Sequence, residues 1–143
     1  MLALVSSDVM HESAVLLPYD AHGRVLLQFR DGLAPYAPLM FGPFGGGREP
    51  EDDTAYAIIR REIAEELAFD VENYSLQYFG FVDTPHLGIA YRRHVFTLHR
   101  PFTSPYRVLE GAGAAFLTKD DVYALVMKGV CSTFVPDLIG KLP

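Results

Sequence analysis

The segment Phe41-Gly42-Pro43-Phe44-Gly45-Gly46-Gly47-Arg48-Glu49-Pro50 is too rich in glycine and proline to be helical, yet it runs almost directly into a strong helical period. Ala55, Ile59, Ile63 and Leu67 recur at intervals of four, and Asp52, Asp53 and Thr54 supply the polar start that a helix N-terminus favours. Most other apolar runs are short and β-prone. Ala14 to Leu17 and Val25 to Phe29, separated by Asp20-Ala21-His22-Gly23, predict a hairpin. Leu76 to Val82, Ile89 to Leu98 and Ala114 to Leu117 read as further strands. Thr118-Lys119-Asp120-Asp121 resembles a cap before a helix over Val122 to Met127, and Pro136 stands near the start of a short one, Asp137 to Ile139. Strands outnumber helices but surround one long central helix, which predicts an α/β fold with a mixed β-sheet covered by helices.

A length of 143 residues and the absence of repeats or charge blocks favour one domain over residues 1–143. The chain is half hydrophobic and has a formal charge of −6, an acidic balance that argues against a general binder of nucleic acid polymers or anionic membranes. No apolar run approaches the ~20 residues of a spanning helix, and Met1 to Met10 lacks the basic start of a leader, so a cytoplasmic chain is expected. Cys131 is the single cysteine; with no partner and no Cys/His motif around it, it is expected to be a small buried apolar residue.

The chemistry-bearing stretch is Arg60-Arg61-Glu62-Ile63-Ala64-Glu65-Glu66-Leu67. On a helix Glu62, Glu65 and Glu66 fall within a sector roughly 100° wide, and Glu66 projects inside the margin of the apolar stripe. A carboxylate pressed toward low dielectric beside two others costs free energy unless a cation compensates it. Oxygen ligands of this kind suit Mg²⁺ or Mn²⁺. The bland alternative is a solvated acidic face neutralised by Arg60 and Arg61, with Arg61 and Glu65 paired at i,i+4. The glycine run ahead of the helix is not a P-loop: Gly42 and Gly47 have its spacing, but Arg48-Glu49 follows where Lys-Ser/Thr is required.

Loop and helix together resemble the Nudix hydrolase signature: a Gly, five residues, an acid, seven residues, then Arg-Glu-apolar-x-Glu-Glu-x-Gly-apolar. Counting from Gly47 gives Asp53, Arg61, Glu62, Ile63, Glu65, Glu66, Ala68 and Phe69, with Asp53 in place of Glu and Ala68 in place of Gly. Counting from Gly46 adds one residue before the helix and makes Asp52 the acid. Glu110-Gly111 followed by Phe116-Leu117-Thr118 resembles the family's late Glu-Gly loop, strand and helix. The resemblance implies a Nudix-type α/β/α sandwich and hydrolysis of a pyrophosphate bond in a nucleoside diphosphate-linked or nucleotide-like substrate. It implies that Glu65 and Glu66 ligate metal, that the Gly47 carbonyl joins them, that Glu62 ligates or acts as base, that Arg61 orients Glu65, and that Glu110 is a distal ligand. At Ala68, where the family has Gly, a left-handed backbone just past the helix is expected, the alternative being a helix that runs on through Phe69 toward Asp70 and Asn73. Mg²⁺, with Mn²⁺ as a substitute, would offset phosphate charge and acidify a bound water.

Arg30, Arg48, Arg92 and Arg93 are candidate phosphate contacts, with Arg30 and Arg48 preferred. Phe81, Tyr91 and Phe41 are the candidate stacking residues because they flank the proposed site segments, Phe81 and Tyr91 being the substrate-binding choices. His11, His22, His86, His94 and His99 show no metal-ligand spacing, and no Ser nucleophile elbow occurs. The expected partner is therefore a small nucleotide or diphosphate, with a homodimer left open. A non-catalytic Nudix-like sensor that binds a nucleotide is the alternative from another class; retention of Glu62, Glu65 and Glu66 favours the enzyme.

Overall fold

In a computed structural model that describes residues 11–70, 73–85 and 88–143, the first strand, β1 (His11–Leu16), lies inside a four-stranded sheet. It pairs antiparallel with β4 (Phe44–Gly47) on one side and parallel with β7 (Tyr91–Leu98) on the other, and β7 pairs antiparallel with β6 (Leu76–Asp83). The order is β4-β1-β7-β6, with β4 on an edge. A second sheet, antiparallel, has the order β3-β2-β9 from Phe41–Gly42, Val25–Phe29 and Gly113–Leu117. The sheet is thus mixed, as expected, but divided. The sequence reading of Met1 to Met10, and His86, lie outside the described residues.

Alternation along the strands assigns each face a helical cover. Ala14, Leu16, Phe96 and Leu98 point to one face, where α1 (Ala55–Glu66) buries Ala55, Ile58, Ile59 and Ile63 against them. Val15, Leu17 and Val95 point to the other, under α2 (Lys119–Met127) and α3 (Val135–Ile139), which contribute Val122, Val135, Leu138 and Ile139. This is an α/β/α sandwich. Cys131 is buried in the second cluster, where burial pushes its thiol up to about 11, consistent with an inert apolar role. Among the described residues no helix is long and apolar enough to cross a membrane.

The predicted hairpin forms only at its tip. Asp20 N–H donates to the Arg24 carbonyl at 2.9 Å, Tyr19 bridges Val25, and Leu26 N–H donates to the Pro18 carbonyl at 2.8 Å. Beyond Pro18 the strands part into different sheets. Proline has no N–H to extend the ladder, and Leu17 N–H is already committed to the Phe96 carbonyl at 2.9 Å.

The start of α1 follows the sequence reading, with the Thr54 hydroxyl accepting from Ala57 N–H at 3.0 Å. Its end does not. Leu67 turns straight into extended backbone, φ −144° and ψ 116°, and Leu67–Ala68 form β5, paired with β8 (Arg107–Val108). Ala68 is not left-handed; the non-glycine residues with positive φ among those described are Ala37 and Leu39. The ladder to β8 satisfies what a glycine cap would otherwise satisfy. Ala68→Gly should therefore destabilise the protein, by about 0.5–1 kcal/mol, since it adds chain entropy at an extended position. Urea unfolding checks the sign, and a stabilised variant would contradict the extended end.

Candidate functional site

Arg61 ties the glycine loop to α1. Its Nη2 donates to Asp52 Oδ2 at 2.6 Å and to the Gly47 carbonyl at 2.9 Å, while Nη1 donates to Glu62 Oε1 at 2.8 Å and lies 3.7 Å from Glu65 Oε1. Asp52 is buried and also accepts from Glu49 N–H at 2.9 Å; the hydrogen-bonded guanidinium holds its carboxyl below the ordinary range. Asp53, one residue on, is exposed. Asp52 is thus the acid that meets Arg61, which corrects the Gly47 count.

The glycines support the same register. A Cβ at Gly46 would stand 2.5 Å from the Glu62 carboxylate, whereas one at Gly47 would meet nothing within 4 Å among the described residues. Gly45, at φ 137°, leaves no room for a Cβ, which would fall 2.1 Å from the Ala14 carbonyl. A bare backbone here lets β4 run against both β1 and the helix carboxylates.

Glu66 is the buried member, 5% exposed, and its Oε1 accepts from Gly45 N–H at 2.7 Å on the free edge of β4. Burial pushes its pKa up to about 8, with Glu62 and Glu110 adding repulsion and Arg30 pulling it back. Glu62 is raised as well, first by burial, against the lowering effect of Arg61. Glu65 is half exposed at the rim. Glu110, exposed, arrives through the β5/β8 ladder: Leu109 N–H donates to the Glu66 carbonyl at 2.8 Å, and Gln28 Nε2 donates to the Glu110 carbonyl at 2.6 Å. The structure thus brings Glu62, Glu66, Arg61, Gly47 and Glu110 together. Among the described residues no three His, Cys, Asp or Glu side chains converge into a closed ligand group.

The other candidates divide. Arg30 is half-buried, and its Nε has no hydrogen-bond partner among the described residues. Arg48 Nε donates to the Asp52 carbonyl at 2.9 Å, so its guanidinium braces the loop. Phe81 is not brought to the carboxylates. It lies on β6, the edge opposite β4, with the Arg92 guanidinium 3.8 Å above its ring. Flanking the motif in sequence does not set strand order, and β1 and β7 lie between. Tyr91 lies on the face away from α1, its hydroxyl 2.9 Å from that of Tyr36. Phe41 packs on Phe29, ring centroids 4.8 Å apart. Sequence reasoning missed a buried chain in which His94 bridges Glu12, at 3.1 Å, and Tyr78, at 2.8 Å. A histidine and a glutamate far apart in sequence give no spacing signal.

No protein-family model matches the chain, and no curated protein sequence matches it. Many solved structures do. The DR0079 protein of Deinococcus radiodurans superposes with a TM-score of 0.75 at 15% identity, over 96% of this chain and 87% of that one. The E. coli dihydroneopterin triphosphate pyrophosphohydrolase gives 0.69 at 19% identity, over 94% and 97%. A MutT Nudix hydrolase from Burkholderia pseudomallei gives 0.69 at 18% identity, over 95% and 100%. Likeness at these identities concerns the backbone architecture, and on that architecture, with its glycine loop docked on an acidic helix, the chain has the Nudix fold.

Proposed function

We propose that this chain is a divalent-metal-dependent hydrolase cleaving a pyrophosphate bond in a nucleoside diphosphate-linked or nucleotide-like substrate. Glu66 carries the reading. A carboxylate 5% exposed, beside Glu62 and Glu110, is costly to ionise and has no bonded cation of its own among the described residues. Its donor chemistry, hard oxygens of like charge, fits Mg²⁺ or Mn²⁺. Glu62 and Glu66, with Glu65 and Glu110 from the rim and a carbonyl of the Gly46–Gly47 loop, would hold the ion, which supplies charge neutralisation and an acidified water.

The chain's own residues divide the remaining tasks. Arg61 fixes the loop and directs Glu62 by a bond of 2.8 Å. Glu62, which unlike Glu66 has no hydrogen bond to β4, would ligate the ion or take the proton from the attacking water. Arg30 offers a half-buried guanidinium to the phosphate oxygens. Tyr91 stands where the remainder of the substrate would run, on the face away from α1. A cytoplasmic location goes with such a substrate. The sensor alternative loses the sequence departures that suggested it: Asp52 performs the acid's task, and Ala68 sits comfortably in a strand.

Incubation with a panel of nucleotide diphosphates in Mg²⁺ or Mn²⁺ should release phosphate-bearing products; binding without turnover would favour the sensor. Glu66→Gln should lower kcat by about 100-fold or more while keeping the fold. Wild-type turnover in that variant would remove Glu66 from the site.

Millimolar Mg²⁺ should raise Tm, increasingly with concentration, and Glu62→Gln, Glu65→Gln and Glu66→Gln should each blunt the rise. Equal shifts in Na⁺ at matched ionic strength would show screening alone.

The metal-free protein should lose stability as pH rises from the ordinary glutamate value of 4.5 toward about 8. Over that window the folded state keeps the Glu66 proton that the unfolded chain has released, so ν_U is less than ν_N and stability falls with pH. Thermal melts in EDTA should show the slope in wild type, and Glu66→Gln should flatten it.

A further inference from the structure

Val25, Leu26, Leu27 and Gln28 are the buried residues of β2, and Gln28 is the polar one. With Leu26 it alternates onto the face that α1 covers, while Leu27 takes the other, and it stands opposite Ala114 of β9 and Gly42 of β3. It is 2% exposed. An amide so buried costs free energy unless both its ends are hydrogen-bonded. One end is: Nε2 donates to the Glu110 carbonyl at 2.6 Å, across 82 residues of chain. The other is not, since Oε1 is buried without a hydrogen-bond partner among the described residues. A leucine or methionine would fill the position without that cost, so stability alone does not account for the amide.

What the amide holds is the late loop. Gly111, at φ 98°, lies so close that a Cβ on it would stand 3.1 Å from Gln28 Nε2 and 3.0 Å from the Phe29 carbonyl. Ala112 N–H donates to that same carbonyl at 2.9 Å, and on the other side Leu109 N–H donates to the Glu66 carbonyl at 2.8 Å. Glu110 is thus an exposed residue between two anchors. The bond from Gln28 adds a third, on its own peptide group, and removes the torsional freedom that an exposed loop residue would otherwise keep. Its carboxylate then stands near enough to act on both Glu62 and Glu66 as a like charge.

We propose that Gln28 is a positioning residue for the metal-binding carboxylates: its amide fixes the Glu110 backbone, and through it the place of the Glu110 carboxylate beside Glu62 and Glu66. The inference rests on the hydrolase reading for the cation. It extends the site to a strand that supplies no carboxylate, and Gln28 itself touches no reacting atom.

Mn²⁺ alone is the probe, its binding to the full chain followed by electron paramagnetic resonance. Glu110→Ala and Gln28→Met should each raise the Mn²⁺ Kd about tenfold. The double variant should bind no more weakly than Glu110→Ala, because both changes act through one carboxylate. In metal-free buffer the Tm of Gln28→Met should equal or exceed that of wild type, whereas a purely structural amide would give a fall. In wild type the Gln28 side-chain amide resonance, assigned through bonds, should move on Mg²⁺ addition, a readout that needs no substitution. An unchanged Kd in either single variant, a lowered metal-free Tm in Gln28→Met, additive losses in the double variant or an unmoved resonance overturns the proposal, as does a wild type that binds no Mn²⁺. Turnover is read separately. Mn²⁺ binding coupled through Gln28 without turnover rejects the hydrolase alone; turnover with additive losses rejects the role of Gln28 alone.

Discussion

The ion pair between Arg61 and Asp52, 2.6 Å long and largely out of solvent, decides where everything else in the site can be. It joins a residue two turns into α1 to one that precedes the helix, and the same guanidinium holds the Gly47 carbonyl and Glu62. A glycine loop left to itself has high conformational entropy. Clamped at Asp52 and Gly47, it becomes a fixed edge strand, and its backbone N–H at Gly45 can be aimed at Glu66. Removing one partner would leave a buried, unpaired charge, which is why such pairs cost more to break than they contribute when made.

The second fixed point is the two-residue ladder of Leu67–Ala68 with Arg107–Val108. By pulling the chain into a strand at the last turn of α1, it hands the Glu66 carbonyl to Leu109 N–H and delivers Glu110 beside the buried carboxylate. Helix and late loop are therefore positioned by one short contact. The like charge of Glu110 beside Glu66 follows from that delivery, so backbone pairing sets part of the site's electrostatics.

Sequence and structure agree where periodicity is long and diverge where it is short. The stripe of Ala55, Ile59 and Ile63 spans several turns, and it correctly turned Glu66 inward. Its neighbour Ile58 widens the buried face beyond the four-residue count. The loop register was open because Asp52 and Asp53 are the same residue type one position apart; only the Arg61 geometry and the crowding at Gly46 separate them. Two-residue strands have no period at all, so β5 and β8 were illegible, and with them the true end of α1. Phe81 shows the remaining limit. Chain proximity to the motif placed it near the site, whereas strand order sends it to the far edge.

On the proposed reading, an acidic protein would need its positive charge kept where it is not cancelled. Of the arginines on or beside the sheets, Arg24 and Arg92 are neutralised by Asp20 and Asp83 at the surface, where such pairs contribute little to stability. Arg30, beside the glutamates, is half-buried, and Arg93 is 8% exposed; no carboxylate ion pair to either occurs among the described residues. In low dielectric each acts over a longer range than its exposed counterparts, because solvent screens it less.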